Sequence, residues 1–343
     1  MKIKNPTGIQ IIGTQRSGSN LLRVILDQSE EIASPHPPHV LTTFVPLLDL
    51  YDLTNAEGYK LLISDIVDFV EANPVPWEGV ELDKNQLFKD SQVYSLYELN
   101  KLICKQAAIS KNASYWCCKS MTNFLYADEI EKAAPGLKYI FLYRDGRDVA
   151  LSFKKAIVGE KNTYFLAKQW KRDQDACIAL SARLDKTRFF SLNYETLIAK
   201  PEETIKELCD FLNIAYSSNM MNFYTSKTSK ITASSGEMWS NLEKPIITNN
   251  TNKFLKEFKD SDLEVFELVA GDTLNKLGYP VYTSMDNVAL ISAEAIEKYS
   301  LENALLKKEA VVNSSKNDLE KREPQALLLK EIKEKYRTQL SNN

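Results

Sequence analysis

Residues 9–26, Ile-Gln-Ile-Ile-Gly-Thr-Gln-Arg-Ser-Gly-Ser-Asn-Leu-Leu-Arg-Val-Ile-Leu, constrain this chain more than any other stretch. They read as a strand, a small-residue turn and a helix. Ile9, Ile11 and Ile12 form the short apolar run of a buried parallel strand, and Gly13 ends it. Thr14 to Gly18 is small and polar except for Arg16. From Ser19 the pattern turns helical, with Leu21, Leu22, Ile25 and Leu26 on one side. The first turn of such a helix leaves backbone N–H groups without internal partners, and its dipole is positive there. A glycine turn feeding that end makes an anion cradle. The stretch therefore predicts an α/β domain that holds a phosphate through backbone amides.

Gly13 and Gly18 have the spacing of a nucleotide-binding P-loop, G-x-x-x-x-G-K-[ST]. Position 19, however, is Ser where Lys should reach the terminal phosphates, and position 20 is Asn where a hydroxyl should hold magnesium. Both groups needed for phosphoryl transfer are missing. What remains is a cradle for a phosphate that is held rather than transferred, or else an ordinary βα turn.

A second stretch, Lys138-Tyr-Ile-Phe-Leu-Tyr-Arg-Asp-Gly-Arg-Asp-Val-Ala-Leu-Ser-Phe-Lys-Lys, decides between these. An apolar strand runs into Arg144, then a turn, then a helix. Arg144 stands at a strand's carboxyl end, where open α/β sheets bind ligands. Ser152 follows eight residues on, two turns into the helix. The pair offers a guanidinium fork and a hydroxyl to a second phosphate. Two phosphate sites on neighbouring strand ends suit a nucleotide phosphorylated at two places.

G-T-Q-R-S-G-S-N-L-L and Y-R-D-G-R-D-V-A-L-S resemble the two cofactor motifs of the sulfotransferase family, which uses 3′-phosphoadenosine-5′-phosphosulfate (PAPS). The likeness runs from about residue 9 to about residue 280. It is nearer to the tyrosyl-protein and carbohydrate pattern than to the cytosolic one. The resemblance implies that Arg16, Ser17, Gly18, Ser19 and Asn20 hold the 5′-phosphosulfate, and that Arg144 and Ser152 hold the 3′-phosphate. It implies no metal. It implies that Tyr194, in the Y-E-x-L turn, reaches the 3′-phosphate; a buried Tyr bonded to backbone is the alternative. Lys119, after Ser114-Tyr-Trp-Cys-Cys, matches a family lysine that neutralises the bridging oxygen and the transferring sulfonate; otherwise it is a surface lysine. A late Ser-rich loop folds over the cofactor in relatives, which makes Lys244 a phosphate candidate.

The two histidines of the chain, His36 and His39, lie in the Pro-rich stretch Ala33-Ser-Pro-His-Pro-Pro-His. Tyrosyl-protein relatives place a Glu base about this far past the turn arginine. This chain has no carboxylate between Glu31 and Asp49 and offers imidazoles instead. Imidazole titrates near working pH and can take a hydroxyl proton. His36 is the expected base and His39 the runner-up; capping of loop backbone is the other role open to both.

The expected fold is a three-layer α/β, P-loop-like domain over residues 1–283, with parallel strands near 9–13, 115–119, 138–143 and 188–193. A C-terminal helical extension is expected over 284–343, with helices near 286–312 and 318–340. There Leu328, Ile332, Tyr336 and Leu340 form a stripe suited to docking on the core, homo-oligomer formation or a partner groove. Residues 225–253 are polar with few regular signals, and Ser261-Asp-Leu-Glu reads as a capping box. The net charge of −3 argues against a nucleic-acid partner. No eighteen-residue apolar run predicts a membrane span, and five Cys without metal spacing suit a reducing, cytoplasmic setting. The acceptor is expected to be a small molecule, lipid or glycan bearing a hydroxyl. The competing readings are a P-loop kinase or NTPase, against which Ser19 and Asn20 stand, and a non-catalytic nucleotide-binding scaffold.

Overall fold

A computed structural model describes residues 5–284 and 291–341, with residues 336–341 described by their backbone alone. Its centre is a five-stranded parallel sheet in the order β2-β3-β1-β4-β5. The strands are β1 (Thr7–Ile12), β2 (Ile32–Ala33), β3 (Tyr115–Cys118), β4 (Lys138–Tyr143) and β5 (Phe189–Asn193). β1 pairs with β3 from Thr7↔Tyr115 to Gln10↔Cys118, and with β4 from Ile9↔Lys138 to Ile12↔Phe141. Four strands lie where the sequence places them. The fifth, β2, has two residues, too few to show any periodicity.

Parallel strands joined by helices are covered on both faces, so their residues are apolar on both sides. Tyr139 and Phe141 pack with Trp116 and Cys118 into one core, against the helices Ala56–Glu71 and Leu96–Lys111. Ile140 and Leu142 point the other way, into a core with Ile9, Ile11, Cys117 and the Ser19–Leu26 helix. Cys117 and Cys118 are thus buried on opposite faces, and all five cysteines are unpaired. A third cluster joins the helices Gly146–Lys154, Thr163–Arg183 and Asp260–Lys276 through Val149, Trp170 and Phe266.

Three local expectations change. Ser261 is not an N-cap: the helix begins at Asp260, and Lys259 stands at the cap without a side-chain bond. The polar stretch 225–253 contains an α-helix, Lys227–Ser234, and a short 3₁₀ helix, Glu237–Glu243. Ser226, whose hydroxyl accepts from the Ser229 amide, caps the first; so many Ser and Thr in a row hide a helix behind cap and turn chemistry. The C-terminal helices are Ala293–Val312 and Lys316–Ser341, and the expected start at 286 lies outside the described residues. Ile332, 3% exposed, packs into the first core with Leu328 and Leu329. The stripe therefore docks on the domain as far as it can be followed; the side chains of Tyr336 and Leu340 lie outside the described residues.

Arg147 fixes the helix that follows β4. It is fully buried and pairs with Asp145 Oδ2 at 2.6 Å and Glu267 Oε1 at 2.5 Å. Glu267 also accepts the backbone N–H groups of Tyr282 (3.0 Å) and Thr283 (2.7 Å). Removing one partner of a buried pair leaves the other charge unpaired. Glu267→Ala is therefore expected to cost ~3–5 kcal/mol in equilibrium denaturant unfolding.

Candidate active site

Because the strands are parallel, their carboxyl ends share one edge. Each end leads into a polar residue of a single cleft of about 1500 Å³. β2 leads to His36, β3 to Lys119, β1 to the Arg16 turn, β4 to Arg144 and β5 to Tyr194. The sheet order lays them out in that sequence along the edge.

The turn after β1 is built for close approach. Gly13 has φ +131°, and a Cβ there would stand 2.3 Å from the Leu142 carbonyl oxygen. Gly18 has φ +87°, and a Cβ there would stand 2.4 Å from the Tyr194 ring. Arg16 also adopts a positive φ, 71°. Thr14 donates to Asp173 Oδ2 (3.1 Å) and accepts from Gln174 Nε2 (2.8 Å), which pins the turn to the Thr163–Arg183 helix. Gln10, buried in β1, donates to the Cys118 and Ser120 carbonyls at 2.9 and 3.2 Å and so ties the Lys119 segment to the same turn. The sequence reading missed Gln10, Asp173 and Gln174; a buried amide in an apolar strand was the available signal for the first.

The two motifs meet. Arg16 Nε donates to Ser152 Oγ at 3.0 Å, and Arg144 Nη1 reaches the Arg16 carbonyl at 3.4 Å. The Arg144 guanidinium lies over the Tyr194 ring, 4.4 Å from its centroid. Tyr194 Oη accepts from Asn250 Nδ2 at 2.7 Å, and Arg144 Nη2 donates to the Asn250 carbonyl at 2.8 Å. Gly18, Ser19 and Asn20 line the cleft. Ser17 is fully buried, and its hydroxyl has no hydrogen-bond partner among the described residues. Lys244 is a correction: it is exposed at the end of the Glu237–Glu243 helix and does not line the cleft. The loop does fold over Arg144, but it presents Asn250 and Lys253 there.

His36 is 7% exposed, and neither ring nitrogen has a partner among the described residues. The ring does not cap backbone; it sits edge-on to Trp239 at 5.0 Å. Burial, then the charges of Lys119 and Arg23, hold its pKa well below 6.5, so it is neutral. Burial and Lys119 push His39 down to about 3. Lys119, 6% exposed, is pulled down to about 7 by burial, then by Arg23 and Arg16. Arg16 falls to about 10 through burial and the Arg144 charge. The cleft thus gathers cations that depress one another, an arrangement that an anion would relieve.

This geometry agrees with the comparisons to known proteins. The model described as the sulfotransferase family matches residues 6–218. The chain belongs to the sulfotransferase family. An uncharacterised Aquifex aeolicus protein is 25% identical over 281 residues, which are 76% of this chain. That match covers 34% of the Aquifex protein, so the chain spans about a third of its length. Protein-tyrosine sulfotransferase 2 of Gallus gallus is 21% identical over 287 residues, 81% of this chain and 71% of that protein. The sulfotransferase domain from the curacin biosynthetic pathway superposes with a TM-score of 0.54 at 23% identity, over 82% of this chain and 100% of that one. This last likeness is one of fold. Among the described residues there is no cluster of His, Cys, Asp and Glu able to hold a metal, and no helix long and apolar enough to cross a membrane.

An anion beside Lys119 must raise its pKa. At pH 8 the lysine, at about 7 in the empty cleft, is mostly neutral, so anion binding takes up a proton there. Titration calorimetry with adenosine 3′,5′-bisphosphate in buffers of different ionisation heat should read that uptake. Lys119→Met should abolish it.

Proposed function

We propose that this chain transfers the sulfonate of PAPS to a hydroxyl of an acceptor such as a small alcohol, sterol, lipid or glycan. The observation that carries the reading is the meeting of the two motifs: Arg16, Ser152, Arg144 and Tyr194 converge in one cleft at the carboxyl ends of β1, β4 and β5. On this reading Arg144, Ser152 and Tyr194 hold the 3′-phosphate. The amides from Ser17 to Asn20, with Arg16, hold the 5′-phosphosulfate. The unpartnered Ser17 hydroxyl supports this, because a buried hydroxyl without a partner suits a ligand oxygen.

His36 takes the proton of the acceptor hydroxyl. As the acceptor oxygen bonds to sulfur, the bond between sulfur and the bridging oxygen breaks, and its electron pair stays on the departing 5′-phosphate. Lys119 and the turn amides stabilise that charge. The products are the sulfate ester and adenosine 3′,5′-bisphosphate. His36 suits the base because it is neutral, lines the cleft, and has no hydrogen-bond partner for either ring nitrogen among the described residues. His39, which burial and Lys119 hold down to about 3, is the alternative imidazole.

The chain is expected to bind adenosine 3′,5′-bisphosphate at least tenfold tighter than ATP, without magnesium; equal affinities, or magnesium-dependent ATP turnover, would favour the kinase reading. Radiolabelled sulfonate transfer across sterol, phenol, lipid and glycan alcohols then finds the acceptor. With any acceptor so found, His36→Ala should lose about 10²–10⁴-fold in kcat at unchanged bisphosphate affinity, and His39→Ala much less. Full turnover in the His36 variant would remove His36 from the mechanism.

A further inference from the structure

The C-terminal helices, outside the matched family region, form a wall of the cleft. Glu302, Leu306 and Ala310 of the first helix line it, as do Asp318, Arg322 and Gln325 of the second. This wall is fastened by buried polar contacts. Asn303 Oδ1 accepts the amides of Lys161 and Asn162 at 2.8 and 2.9 Å. Asp318 Oδ1 accepts the Glu237 amide at 3.1 Å, and Gln325 Nε2 donates to the Phe69 carbonyl at 2.9 Å.

Within this wall Arg322 has the surroundings of a ligand-binding group. Its guanidinium lies 5.4 Å from the centre of the Trp239 ring, the same ring that meets His36 at 5.0 Å. Its Nε is buried without a partner, and the hydrogen bond it makes, from Nη2, goes to the Met238 sulfur at 3.7 Å. No carboxylate oxygen comes within 4 Å of it among the described residues, although Asp318 is near enough to favour its charge. The shared Trp239 ring puts Arg322 beside His36 in the lining of the cleft. Arg322 as a whole is half-buried, but a guanidinium on an aromatic face with its Nε buried and unpartnered, and no carboxylate in contact, is costly unless an anion completes it.

We infer that Arg322, delivered by the C-terminal extension, binds the oxygens of the transferring sulfonate, so that the extension completes the active site. The inference rests on the PAPS reading above. It makes Arg322 a catalytic residue that recognises sulfonate specifically: the group is present on PAPS and absent from adenosine 3′,5′-bisphosphate. Charge develops around that group as the S–O bond breaks, and a fixed guanidinium beside it lowers the barrier.

The test compares the affinities of the full chain for PAPS and for adenosine 3′,5′-bisphosphate by calorimetry. Arg322→Gln should weaken PAPS about tenfold, the loss of one charge-assisted hydrogen bond, and leave the bisphosphate within twofold. Arg322→Lys, which keeps the charge, should recover part of the loss, and thermal melts of both variants report folding. An unchanged PAPS-to-bisphosphate ratio in both variants would overturn the inference while leaving the PAPS reading intact. A wild-type chain that binds neither nucleotide would remove the parent reading, and this one with it.

Discussion

Like charges crowd the carboxyl edge of this sheet, and the rest of the site is arranged to tolerate them. Arg16, Arg23, Lys119, Arg144 and Arg322 all approach or line one cleft. Among the described residues, Arg144 alone of these five has a carboxylate within 4 Å, Asp148 Oδ2 at 3.5 Å. Arg23, fully buried, is satisfied by neutral oxygens instead, donating to the Ser34 carbonyl at 3.1 Å and to Thr232 Oγ1 at 2.7 Å. Burial depresses Arg16 and Arg23 to about 10 and Lys119 to about 7, with the Arg144 charge adding to the effect at Arg16 and the Arg23 and Arg16 charges at Lys119. Such an edge is electrostatically frustrated when empty and matched when it holds a polyanion. The rigid turn at Gly13, the Arg147–Glu267 pair and the Gln10 amide are what keep the cations from moving apart.

The legible part of this molecule is the part that a parallel sheet dictates. A buried parallel strand must be an apolar run, and its carboxyl end must feed a loop, so β1, β3, β4 and β5 could be found from their apolar runs and the residues that follow them. Once four strands are known, their terminal residues share an edge, and Arg16, Lys119, Arg144 and Tyr194 follow as neighbours. His36 was legible for a different reason. It sits in a Pro-rich extended stretch that no helix can claim, and β2, too short to recognise, delivers it to the same edge.

What escaped the sequence lies in side-chain contacts between distant segments. Asp173 and Gln174 read as ordinary polar residues of a charged helix, yet they hold Thr14 from 159 and 160 residues away. Two arginines stand three residues apart in the second motif, and the burial of Arg147 between Asp145 and Glu267, which separates it from the cleft-lining Arg144, is visible only in the folded chain. Lys244 attracted attention through its place in a polar loop, but loop chemistry does not say which residue turns inward; Asn250 does so, through its carbonyl and its amide. The C-terminal helices carried an apolar stripe that fits a core, a partner or a second copy equally well. The burial of Ile332 in the first core settles the part that is described.

On the proposed mechanism, the same electrostatics couples His36 to the bound phosphosulfate. His36 is held far below its ordinary pKa by burial and then by the charges of Lys119 and Arg23, so in the empty cleft it is a weak base. An anion in the cleft opposes the surrounding positive charges, and His36 gains basicity without moving. On the proposed mechanism, proton removal from an acceptor is therefore favoured only after the phosphosulfate has arrived. Trp239 meets both groups, His36 at 5.0 Å and the Arg322 guanidinium at 5.4 Å, and covers one side of the imidazole. One wall of the cleft belongs to the family-matched sheet edge and the opposite wall to the C-terminal helices. In the proposed mechanism, the positive charges of both walls favour binding of the phosphosulfate before proton removal.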